Sequence, residues 1–144
     1  MTPQLLCLLH LCDLLIFEAR AIGEEEAWEE AKMFLDQFYT RSQNTKSTGY
    51  LGEALLLKAK FAQIDGDLQQ AQTYLTETKT LATELDMSLL VLKVAAEQTQ
   101  LTRDFEKWTD LTRRNAPLQE RLTEARLEEY LLEAKKLARL RDAI

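Results

Sequence analysis

Cys7, His10, Cys12 and Asp13 form the densest group of chemically capable side chains in this 144-residue sequence. Thiolates, an imidazole and a carboxylate hold zinc when four of them converge on one tetrahedral point. A helix turns about 100° per residue, so Cys7 and His10 share a face while Cys12 lies about 160° from His10. Asp13 can join His10 but then points away from Cys12. The group reads as two small buried thiols and an imidazole at the surface or in an interface, and no metal is expected. Catalysis has equally little to build on. There is one histidine, no glycine-rich phosphate loop, and no His/Cys/Asp constellation outside this stretch. The expectation is therefore a protein that is not an enzyme and carries no cofactor. The acidic cluster Glu24, Glu25, Glu26, Glu29 and Glu30 reads as a solvated face whose first-turn charges favour a helix start.

The elements that carry these residues follow from composition. Only four Gly and two Pro occur, and Leu, Ala, Glu, Lys, Gln and Arg dominate, which are the helix-favouring residues. An all-α fold in one domain spanning 1–144 is expected. The net charge of −6 sets the chain against a phosphate backbone, so nucleic acid is not an expected partner. Two cysteines without a framework spacing fit a reducing, cytoplasmic compartment. The apolar stretch "LLCLLHLCDLLIFEARA" lacks a basic leader and is interrupted by His10 and Asp13, so neither a signal peptide nor a membrane span is expected there.

An internal repeat gives this stretch a different meaning. At an offset of 40 residues, Leu15, Ile16, Phe17 and Ala19 fall on Leu55, Leu56, Leu57 and Ala59, and Trp28, Ala31, Phe34 and Leu35 fall on Leu68, Ala71, Tyr74 and Leu75. At a further offset of 37, Leu92, Val94, Ala96, Phe105 and Leu111 continue the series, except that Trp108 stands where the other copies have Ala. Each copy reads as two helices. Ala19–Ala31 and Ala59–Ala71 let paired helices approach closely. "DGD" at 65–67 is a turn in which Gly66 tolerates positive φ and Asp67 caps the next helix. "NAP" at 115–117 ends one helix and starts the last, since Pro disfavours helix in the residue before it. Helices are expected near 4–22, 24–41, 50–65, 67–85, 88–102, 104–114 and 118–142. In the last, Leu127, Leu131, Ala134 and Ala138 form one stripe.

Paired helices, the turn in "GDLQQA" (66–71) and the small–small contact resemble the tetratricopeptide repeat, over roughly residues 10–114. HEAT-like repeats, with a period nearer 40, are the structural alternative. The segment from Lys107 to Ala134 is similar to the end of long repeat arrays in archaeal and bacterial signalling or regulatory proteins. The resemblance implies a right-handed stack of three antiparallel hairpins, at about 4–42, 50–85 and 88–114, capped by a long helix at about 117–142. It also implies a groove lined by the first helix of each pair, presenting Asp13, Ile16, Arg20, Glu53, Leu56, Lys60, Gln63, Lys93, Glu97 and Gln100. Arg20 and Lys60 would form a basic track for an acidic peptide, or would simply pair with Asp13, Glu53 and Glu97.

A helix apolar on all sides expects neighbours on all sides. The first helix therefore suggests either a piece of a longer array or a homodimer through Leu5, Leu8, Leu9 and Leu11. The function expected is a non-catalytic protein–protein interaction module of a larger signalling or regulatory protein. Two alternatives remain. One is a small-molecule-sensing repeat domain of a transcriptional regulator, with a pocket among Phe17, Phe61 and inner lysines. The other is a structural homodimerisation module.

Overall fold

A computed structural model describes the backbone of residues 2–44 and 48–143, and the side chains of 5–44, 50–137 and 139. Eight helices make up these residues: α1 Thr2–Ile22, α2 Glu25–Asn44, α3 Thr48–Ile64, α4 Leu68–Glu84, α5 Ser88–Arg103, α6 Phe105–Arg113, α7 Leu118–Ala125 and α8 Leu127–Ala143. The fold is all-α.

The first two pairs close as antiparallel hairpins at their small residues. Ala19, Ala31, Ala59 and Ala71 are all buried, and Cys12 Sγ donates to the Ala31 carbonyl across the first pair at 3.5 Å. The turn at 65–67 forms with Gly66 at φ +85°, and the Asp67 carboxylate accepts from the Gln70 N–H at 3.1 Å. Trp28 stacks on Phe61 with centroids 4.7 Å apart, joining the two hairpins. α2 packs on α3 and α4 packs on α5, so the order of the chain is also the order of packing.

The third pair departs from this pattern. A single residue, Asp104, separates α5 from α6, and the two helices share little contact beyond it. The reason is visible at the repeat-matched positions. A close approach that Ala71 makes against Ala59 is closed to Trp108 against Ala96, because an indole cannot occupy a methyl's space. α6 instead continues past the end of α3, where Trp108 and Leu111 are buried, and Thr112 sits against Gly66 so closely that a Cβ there would lie 2.8 Å from its hydroxyl.

The single C-terminal capping helix expected at 117–142 is two helices. Arg126 adopts a left-handed backbone (φ 52°) and breaks the run, and Leu127 restarts it fully buried. Nor do these helices cap the far end of the stack. α7 and α8 return across α1 and α3. Leu127, Leu131 and Ala134 of the expected stripe are buried there, while the Ala138 side chain lies outside the described residues. Much of the apolar surface of α1 is thereby covered, by α2 on one side and by α7 and α8 on another, while Leu14, Phe17 and Ile22 stay exposed.

Candidate functional site

The part of the expected groove along α1 and the middle of α3 is covered by the chain itself, while Lys60, Gln63, Glu97 and Gln100 line an open polar cleft and Glu53 and Lys93 line an apolar groove. Ile16 and Leu56 are 2% and 1% exposed, and Lys60 and Gln63 are also buried. α8 runs antiparallel to α1. Lys135 Nζ donates to the Asp13 carboxylate at 2.7 Å, and Arg20 pairs with Glu128. α7 closes the open helix ends below. The Gln119 amide donates to the Arg20 carbonyl at 2.9 Å, and Arg121 Nη1 to the Ile64 carbonyl at 2.6 Å, so α7 satisfies terminal carbonyls of both α1 and α3. Among the described residues, Arg20 and Lys60 therefore do not form an open basic track, because each is paired within the chain. The α8 stripe is a better cover for the apolar centre than solvent: each fully buried leucine contributes about 1.5–3 kcal/mol.

The groove charges that α8 does not take pair among themselves. α5 runs beside α3 in the same direction, with Leu90 against Gly52, Lys93 Nζ 3.0 Å from Glu53 and Lys60 Nζ 3.2 Å from Glu97. Lys60 Nζ also lies 4.8 Å from the Tyr130 ring centroid. Gln100 donates to Asp104 at 2.7 Å. Burial raises the Glu53 carboxyl above its ordinary range, and the opposing Lys93 charge offsets only part of that.

The proposed self-association residues meet the same end. Leu5, Leu8 and Leu9 are buried in the chain's own core, and Leu11 is half-buried. Three leucines needed within a core cannot also form an external interface. Phe17 and Phe61 do not share a pocket: Phe17 is exposed, and Phe61 is buried against Trp28.

The cysteine–histidine cluster separates as helical geometry requires. Cys7 and His10 are exposed, which corrects the reading of Cys7 as buried, while Cys12 is 1% exposed. Burial, then the Asp13 charge, pushes the Cys12 thiol up to about 12, so it stays protonated and unreactive. No group of three or more potential ligands converges on a metal position among the described residues. Among those residues, too, no helix is long and apolar enough to cross a membrane.

Two of the larger open features among the described residues border α5. A polar cleft of about 390 Å³ lies between Lys60, Gln63, Lys107, Trp108, Glu124 and Arg126. Two of its lysines are paired, Lys60 with Glu97 and Lys107 with Glu124 at 3.0 Å. The buried Trp108 indole N–H at this cleft has no partner among the described residues.

The second feature is the outer face of α5. Leu89 is 84% and Leu92 66% exposed, and Ala95, Ala96, Thr99 and Thr102 continue the face. These six positions carry no charge in a chain that is 29% charged. Beside the leucines lies an apolar groove of about 830 Å³, floored by Met87, Leu90 and Leu137 and edged by Lys93 and Glu133. The sequence offset relates this face to a covered one. Leu92 and Ala96 match Leu55 and Ala59, which are buried at 4% each. The earlier pair is closed by α4, whereas α6 never folds back over α5. In the sequence Leu92 and Ala96 look like two more core positions of the series, and Trp108 is the residue that sets them apart.

Set against protein-family models, curated proteins and solved structures, the chain matches none of them.

Proposed function

We propose that this chain is a non-catalytic protein–protein interaction module, built from two closed tetratricopeptide-like helix pairs and a third left open, which binds protein along α5. The observation that carries the reading is the uncharged face around Leu89 and Leu92, exposed at 84% and 66%. Exposed apolar surface rimmed by polar residues marks interaction sites, and the buried centres of interfaces are depleted in charge. An interior array with its groove filled offers a rigid surface, so little ordering cost attaches to binding.

A photo-crosslinking residue at position 92 tests this in cells, with the exposed position of Glu30 on α2 as the control. Protein adducts from 92 that are absent from 30 are expected. Equal yields from the two positions, or none from 92, would contradict the reading.

A further inference from the structure

We infer that the occupant of the α5 face is a second copy of this chain, docked antiparallel about a two-fold axis near Ala95 and Ala96. This rests on the reading of α5 as a binding face and names its partner. Leu92 and Ala96 stand at positions that α4 covers in the preceding pair, so the surface is shaped for a helix. Trp108 prevents the chain's own next helix from supplying it.

The face is complementary to itself. Its middle is small, which allows two backbones to approach at Ala95 and Ala96. Its bulk is at one end, in Leu89 and Leu92, and its slighter residues, Thr99 and Thr102, are at the other. A two-fold axis between 95 and 96 sets Leu92 of each copy on Thr99 of the other, and Leu89 on Thr102.

Charge selects the antiparallel arrangement. Arg103 is exposed at the C-terminal end of α5, and Glu84 and Asp86 are exposed just before its N-terminal end. None of the three makes an ion pair with a described residue. In the antiparallel pair each Arg103 meets the acidic end of the other copy, twice over. A parallel pair would bring like charges together. A foreign partner would not require this chain to carry both halves of the pattern. One 16-residue helix offers less than the roughly 1,200 Å² that stable interfaces bury, so the dimer belongs to the weak, concentration-dependent class.

Sedimentation velocity over a concentration series tests the inference with two surface variants, Arg103→Glu and the double change Glu84→Lys with Asp86→Asn. Asn is used because it tolerates the left-handed backbone at Asp86 (φ 58°). Each variant alone should self-associate at least about tenfold more weakly than the wild type. Mixed in equal amounts they should dimerise again, because both charge contacts are restored across the pair. A wild type that stays monomeric at every concentration, or variants that dimerise alone as well as mixed, would overturn the inference. Foreign adducts from position 92 together with a monomeric wild type would leave the interaction module standing and remove the second copy as its partner.

Discussion

Cys7 and Cys12 lie five residues apart on α1 and meet opposite environments. One faces water; the other is held against the Ala31 carbonyl with its thiol pushed up to about 12 by burial and by Asp13. The thiolate is the reacting species, so the difference is directly measurable. Iodoacetamide at pH 8 should label the native chain once, at Cys7, and a second time only after unfolding. Rapid double labelling of the folded chain would contradict the packing of α1 on α2. His10, exposed beside Cys7, adds nothing to a metal site because Cys12 is turned inward. The helix angle between 10 and 12 already contained that result. What it could not contain was the exposure of Cys7, which depends on α8 covering only part of α1.

At the scale of elements, α7 and α8 decide what the molecule presents. They neutralise Asp13 and Arg20, satisfy carbonyls at the ends of α1 and α3, and bury Leu127 and Leu131. Leu131→Ala should therefore cost about 2–5 kcal/mol in chemical denaturation, with amide exchange rising in α1 as well as in α8. Faster exchange confined to α8 would mean that it is a peripheral appendage. Local features of this architecture were readable in advance. The Ala19–Ala31 and Ala59–Ala71 pairs, the Asp67 cap and the break before Pro117 all rest on neighbouring residues or on a fixed offset. The return of α8 was not readable. Its ion pair from Lys135 to Asp13 spans more than a hundred residues and has no repeat partner, and an apolar stripe does not specify which apolar surface it will cover. The break at Arg126 carries no glycine or proline to announce it. The open third pair was half legible, because Trp108 in place of Ala marks a helix that cannot close on Ala96.

For the whole molecule, closing one surface leaves another open. The chain uses its last two helices to cover the first helices of two pairs, and the third pair is left with one bare face of α5, uncharged from Leu89 to Thr102. Leu55 and Leu92 are related by the 37-residue offset in the sequence, and one is 4% and the other 66% exposed. Hydroxyl-radical footprinting of these two leucines, in dilute and in concentrated protein, is the most direct test. Leu92 should be strongly oxidised in dilute solution and protected on concentration, while Leu55 stays unmodified in both. If Leu92 is as protected as Leu55 in the dilute chain, the third pair is closed. If Leu92 reacts equally at both concentrations, the face does not receive a second copy.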